Sequence, residues 1–240
     1  MKRILGLMRK AIQKYNMIQP GDRIAVAVSG GKDSMVLLDA MNRLKCFYPL
    51  EFEIGAIYID IGFESNAELP LRNYCDKNNI EFCVSKSSIK TIAFDIEKAK
   101  SPCSLCSRMR RAALCCAAKE LGYNKIALGH NMDDAVETFM MNLMYNGKNE
   151  CFEPIMLYDD INISIIRPMI SVPEKEIKSY AVKQNLPVVS KVCPIDGKTD
   201  REKIKNIIKD LEKENRYAKK NIYTAITKLE AFISKEVATK

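Results

Sequence analysis

The run Arg23–Val28 (RIAVAV) restricts the fold of this chain more than any other segment. It is apolar after its first residue, it follows a Pro20-Gly21 break, and it gives way to the polar turn Ser29–Ser34. A short apolar run between turn signals reads as a strand buried on both faces. A helical pattern through Met35, Leu38 and Met41 comes next. The alternation then repeats, with strands at 51–60, 80–84 and 125–128 and helices at 67–78, about 107–121 and 133–145. Strands alternating with helices predict an α/β fold, a parallel sheet with helices on both faces. Before it, Ile4, Leu7, Met8, Ala11, Ile12 and Tyr15 share one face of an N-terminal helix. After it, residues 154–168 alternate like a hairpin with a turn near Asp159-Asp160. A helix over 173–184, a short strand near Val188 and two helices from Asp200 onward complete the pattern. The expected organisation is an N-terminal helix (1–22), a sheet domain (23–197) and a carboxyl-terminal pair of basic helices (198–240).

Hydrophobic residues make up 47% of the chain, enough to fill one core. No stretch is long and apolar enough for a bilayer span, and residues 1–18 lack the continuous apolar centre of a secretion signal. A cytoplasmic protein that does not enter membranes is therefore expected. The nine cysteines, an odd number, argue against a disulfide framework and for buried thiols or metal ligands. Charge is concentrated at the ends. Residues 1–23 carry six basic side chains against one acidic, and residues 198–240 twelve against seven. Residues 24–197 carry twenty against twenty-two. Basic ends on a near-neutral middle suit a polyanion such as nucleic acid, and equally describe a solvated charged surface.

Ser29-Gly30-Gly31-Lys32-Asp33-Ser34 leads from a strand into a helix. Glycines there let the backbone approach an anion, and the helix amino end favours phosphate. Ser29 and Ser34 add hydroxyls and Lys32 adds a charge. The spacing is neither that of a Walker A loop nor GxGxxG. On residue types alone the segment is a phosphate loop or a tight turn. The complete string SGGKDS resembles the PP-loop of ATP pyrophosphatases. That resemblance implies cleavage of ATP between its α- and β-phosphates and transfer of adenylate to a carbonyl oxygen. Asp33 then either helps hold Mg²⁺ or stabilises the helix amino end.

Cys103 and Cys106 form a single CxxC, which suits half of a zinc site, a redox pair or part of an iron–sulfur site. Cys193, followed by Pro194, is the candidate third ligand. Three thiolates without a fourth suit a cluster with one exposed iron. Cys116 lies on a stripe with Met109, Ala112 and Ala113 and is expected to be buried, whereas Cys115 falls nearer Arg108, Arg111 and Lys119. Cys46, Cys75, Cys83 and Cys151 have no partner at ligand spacing and are expected to be structural.

Gly129-His130-Asn131-Met132-Asp133-Asp134 closes the strand at 125–128 and opens a helix. Ligands of open α/β sheets bind at the carboxyl ends of strands, so this segment and SGGKDS are expected to share one crevice with Asp60. Asp133 is the expected helix cap. Arg110 and Arg111 suit phosphate neutralisation or a solvated helix face.

PCSLCSRMRRAAL followed by ALGHNMDDAVETFMMNLMYNGK, together with SGGKDS, resembles the tRNA-cytidine 2-thiolation enzymes, in the family's order across about two-thirds of the chain. IIRPMI and Cys193-Pro194 extend the similarity more weakly. The resemblance implies a PP-loop, adenine nucleotide alpha-hydrolase-like domain over 23–197. It implies ATP, Mg²⁺ and a [4Fe-4S] cluster on Cys103, Cys106 and Cys193, with the fourth iron left to carry sulfide. Ser29, Gly30, Gly31, Lys32, Asp33, Ser34, Gly129, His130 and Asp133 would hold the nucleotide, and Asp60, Arg110 and Asp134 would act in catalysis. The implied partners are tRNA, a sulfur donor (sulfide or a cysteine desulfurase) and a second copy in a homodimer. Many relatives carry a second downstream CxxC where this chain has Cys193 alone, which removes one spare ligand. The zinc-finger cysteine pairs of the uridine-thiolating branch are missing from the sequence. The alternatives are a uridine thiolase, a lysidine-type PP-loop ligase that needs no cluster, and a nucleotide- or RNA-binding protein without catalysis.

Overall fold

The computed structural model describes residues 2–63, 66–96, 102–189 and 200–238. The chain forms two compact units, residues 1–130 with 154–194 and residues 131–153 with 195–240.

The first unit is built on a six-stranded sheet. Its strands are β1 (Asp22–Val28), β2 (Phe52–Asp60), β3 (Glu81–Lys86), β4 (Lys125–Ala127), β5 (Ile155–Tyr158) and β6 (Ile163–Ile166), in the order β3-β2-β1-β4-β6-β5. All neighbours are parallel except the β5–β6 pair, whose hairpin turns through a 3₁₀ segment at Asp159–Ile161. The predicted hairpin is therefore an antiparallel edge on an otherwise parallel sheet. β1 is central, and five of its seven residues are buried, as a strand covered on both faces requires.

Helices α1 (Lys2–Lys14), α2 (Lys32–Lys45), α3 (Glu68–Lys77), α4 (Pro102–Glu120) and α6 (Glu174–Lys183) belong to this unit. α4 packs on β2, β3 and β4, where Leu114, Cys115 and Ala118 meet Ala25, Ile57 and Ile126. Successive side chains of a strand point to opposite faces, so Ile24 and Val26 look away from α4; α2 packs on β1, β2 and α6. Asp39 on α2 is buried and accepts hydrogen bonds from Tyr74 of α3 (2.7 Å), from Tyr180 of α6 and from Arg43 (2.8 Å), which locks three helices together. At the opposite end of the sheet, Asp22 ties β1 to β4 through Lys125 Nζ (2.6 Å) and Asn124 (2.8 Å).

Three expectations need correction. Cys115 is buried and Cys116 exposed, the reverse of the sequence reading. The buried stripe of α4 runs through Leu114, Ala117 and Ala118, the residues that meet the sheet, and the small residues Ala112 and Ala113 misled the phase. α4 also begins at Pro102, about a turn earlier than read, because proline's fixed φ suits a first helical position. The CxxC is consequently helical. Lastly, Val188 is not in a strand; its N–H donates to Leu186 O (2.8 Å) in a tight turn, and Val189 N–H donates to Gly30 O (2.9 Å).

The second unit holds α5 (Met132–Asn146), α7 (Asp200–Glu214) and α8 (Ala218–Ala238) around Val136, Phe139, Ile204, Ile208 and Ile226. Grouping α5 with the carboxyl-terminal helices was not anticipated from the sequence. Among the described residues no helix is long and apolar enough to cross a membrane.

Candidate functional site

The turn after β1 is shaped by its own side chains. Gly30 has φ +77°, and a Cβ there would lie 3.3 Å from Cβ of Val189. Ser34 Oγ donates to Gly31 O (2.9 Å) and accepts from Ser29 N–H (3.1 Å), so the turn is stapled across its mouth. Gly31 is the N-cap of α2 and no side chain caps that helix end. First-turn amides of such a helix are suited to an anion.

The loop after β4 lies on this turn. A Cβ on Gly129 would stand 3.1 Å from Asp33 C and 3.2 Å from Ser34 N, both backbone atoms. His130 follows, and Arg167 Nε donates to its Nδ1 (3.2 Å). Arg167 is only 1% exposed. With Nδ1 accepting, the ring of His130 is neutral and carries its proton on Nε2.

A crevice of about 410 Å³ opens here, at the carboxyl ends of β1 and β2. That volume is in the range of small-molecule sites. Ser29, Gly31, Asp33, Ser34, Asp60, Arg110, Gly129 and His130 line it, so eight of the residues singled out in the sequence converge on one place. Phe63, Ser107 and Arg111 line it too. Asp60 is oriented by Gly62 N–H, which donates to its Oδ1 (2.9 Å). Lys32 is not among the described lining residues: its Nζ is 2.8 Å from Asp33 Oδ2 and 2.8 Å from Glu174 Oε1. Burial alone would lower the Lys32 pKa, but the bonds and charges of those two carboxylates outweigh it, and the pKa is raised.

Cys106 is a half-buried thiol on the first turns of α4, packed against the sheet core and adjacent to Ser107 of the crevice. Cys103 precedes it by three residues on the same helix. The side chain of Cys103 and the whole of Cys193 lie outside the described residues. A CxxC at a helix amino end fits a soft metal or cluster by its donor chemistry, because that end favours thiolate.

Asp133 and Asp134 belong to the second unit. The cap of α5 is Asn131, not Asp133: its Oδ1 accepts from the amides of Asp133 (2.9 Å) and Asp134 (3.1 Å). Asp134 completes a capping box by accepting from Asn131 N–H (3.0 Å). Asparagine takes this place because it lies three residues before a carboxylate, the spacing the box needs. Lys219 of α8 holds Asp133 (2.8 Å), while Arg201 of α7 holds Asp134 (3.3 Å) and approaches Glu137 (3.6 Å).

Burial pushes the Glu137 carboxyl up, against the pull of Arg201, from 4.5 to about 7. The folded protein therefore keeps this proton while the unfolded chain loses it. Stability falls as pH rises from 4.5 to 7 and is level above that. Converting the shift gives at most about 3 kcal/mol. Glu137→Gln is expected to stabilise the protein at pH 8 and to have no such advantage at pH 4.5, read as the variant-minus-parent difference in urea unfolding. Equal differences at both pH values would refute it.

Phe63 and Ser107 of the lining, with Arg167 and Glu174, are not singled out by the sequence. Arg167 left a signal, a charge directly after the apolar run Ile163–Ile166, but Glu174 looks like any acidic residue in a first helical turn.

A parallel sheet with a glycine turn and a second backbone loop sharing one crevice at its carboxyl edge defines a PP-loop nucleotide domain. The sequence profile of the PP-loop domain family matches residues 5–211. A tRNA-cytidine(32) 2-sulfurtransferase of Citrifermentans bemidjiense is 36% identical over 228 residues, covering 94% of this chain and 89% of that protein. That of Coxiella burnetii is 34% identical over 230 residues, covering 95% and 90%. The chain belongs to the tRNA-cytidine(32) 2-sulfurtransferase family. Among solved structures, the U34-tRNA thiolase NcsA from Methanococcus maripaludis, determined with its [4Fe-4S] cluster, has the same fold, with a TM-score of 0.79 at 24% identity over 95% of this chain and 78% of that one.

Proposed function

We propose that this chain is an ATP-dependent tRNA sulfurtransferase that adenylates O2 of cytidine 32 and replaces it with sulfur. The observation that carries the reading is the convergence of Ser29, Gly31, Asp33, Ser34, Gly129, His130, Asp60 and Arg110 on one crevice whose lining also includes Ser107, the residue after Cys106 in the chain. The first-turn amides of α2 with the hydroxyls of Ser29 and Ser34 take the polyphosphate. Arg110 balances charge that develops as the cytidine O2 attacks the α-phosphate and pyrophosphate leaves. His130 offers its Nε2 proton as a neutral donor. Mg²⁺ requires hard oxygen ligands, and Asp33 and Asp60 are carboxylates of the crevice lining that supply them.

Adenylation makes C2 of the base electrophilic and AMP a good leaving group. Cys103, Cys106 and Cys193 would hold the [4Fe-4S] cluster, which when bound supplies the sulfur nucleophile. The target base must leave its stack to be reached at O2. Basic side chains of α1, α7 and α8 hold tRNA phosphates, with a sulfide source or a cysteine desulfurase as donor. A homodimer and a cytoplasmic location complete the proposal.

The test is anaerobic reconstitution of the full chain with iron and sulfide, followed by incubation with unmodified tRNA, MgATP and sulfide. Nucleoside mass analysis should show 2-thiocytidine with pyrophosphate release. 2-Thiouridine in its place would reassign the substrate, and no thionucleoside at all would refute the reading.

A further inference from the structure

We infer that Glu174 is a positioning residue of the PP-loop: by gripping Lys32 it makes that lysine a tie between α2 and α6, not a ligand of the phosphates. The inference rests on the ATP site proposed above. Lys32 is the one cation of the SGGKDS string, and its residue type suits phosphate. Its ammonium is instead held at 2.8 Å by Glu174 Oε1 and at 2.8 Å by Asp33 Oδ2. Glu174 is itself well covered, with a side chain 15% exposed, and its second oxygen meets Lys178 at 3.1 Å. The carboxylate is thus fixed from its own helix before it takes Lys32.

The chain around this pair is arranged to keep it. α2 and α6 pack together, and Asp39 joins them a second time through Tyr180. Lys32 is the first residue of α2, so whatever holds it sets where the helix amino end stands. That end, with the turn stapled by Ser34, carries the amides that meet the polyphosphate. Lys32 is not among the described residues that line the crevice, whereas its neighbours Gly31, Asp33 and Ser34 are. Burial alone would lower the pKa of the Lys32 ammonium, but the hydrogen bonds and charges of the two carboxylates outweigh it and keep the ammonium charged.

The two roles of Lys32 predict opposite signs for one substitution. A lysine meant for phosphate would be competing between Glu174 and ATP, and Glu174→Gln would release it and tighten MgATP. As a tie, Glu174→Gln loosens the amino end of α2 and weakens MgATP, by about threefold to tenfold. Calorimetric titration of MgATP into the full chain reads this directly, for Glu174→Gln, Lys32→Met and the double variant. The expected result is that both single variants lose by a similar factor and the double variant loses no more than either. Tighter binding in Glu174→Gln, or a Lys32→Met loss well beyond that of Glu174→Gln, overturns the inference. So does unchanged binding in all three.

Melting temperatures without nucleotide separate this question from the function. Additive effects of Lys32→Met and Glu174→Gln there would overturn the tie even if the chain makes 2-thiocytidine. Coupled effects would uphold it even if no thionucleoside forms.

Discussion

Cys106→Ala is expected to lower thionucleoside formation by at least about 10²-fold while leaving MgATP affinity within about threefold of the parent. The split follows from where the thiol sits. Cys106 is on the first turns of α4, whose later turns carry Ser107, Arg110 and Arg111 into the crevice lining. Its side chain packs against the sheet core. Alanine keeps the helix, since it has the highest helix propensity. The nucleotide crevice should therefore survive, and what is lost is one of the three thiols proposed to hold the cluster. Iron and labile-sulfide counts with the visible absorbance of the reconstituted variant accompany the activity measurement. Full thiolation by a variant that holds no cluster would sink the three-cysteine assignment, and retained MgATP affinity would still uphold the crevice.

Gly129→Val should do the opposite, weakening MgATP by more than about 10²-fold and taking thiolation with it. The warrant is steric and has little room for escape. A Cβ at position 129 meets Asp33 C at 3.1 Å, Ser34 N at 3.2 Å and Asp33 O at 3.3 Å. Those atoms are backbone of the first turn of α2, which is held by the Ser34 staple and cannot swing aside as a side chain tip would. Packed interiors transmit such strain. Either the loop after β4 or the PP-loop must move, and each movement separates His130 from the phosphate amides. Gly129→Ala should cost less, about tenfold, because only the single Cβ must be accommodated. The measurement is calorimetric MgATP binding with a melting curve for each variant. Parental affinity in a folded Gly129→Val protein would show that the two loops do not act as one surface.

Most of what concerns contiguous residues was legible beforehand. RIAVAV into SGGKDS is strand, turn and helix because apolar runs, glycine φ freedom and helix amino ends are local properties. That Ser29–Ser34, Asp60 and Gly129–His130 meet was also legible, because strand–helix alternation leaves few arrangements in which the carboxyl ends of strands do not meet; that Lys32 stays out of the lining, and that Asp133 and Asp134 belong to the second unit, was not. Local phase was less secure. On α4 the run Ala112-Ala113 offers no contrast between faces, and the buried side was chosen by Leu114 meeting the sheet. The cap of α5 was misplaced by two residues, since both Asn131 and Asp133 have cap chemistry and the carboxylate three residues on decides between them.

The sequence by itself determined the kind of fold, the loop that meets phosphate and the thiols available to a metal, since each is written in neighbouring residues. Only the tertiary structure decided that Lys32 turns to Glu174, that buried Arg167 sets the proton of His130, and that Arg201 and Lys219 are spent on Asp134 and Asp133. A charged side chain can reach any of several partners from its place in the chain. Which one it takes depends on which helices and strands the core brings side by side, and that information belongs to no single stretch of residues.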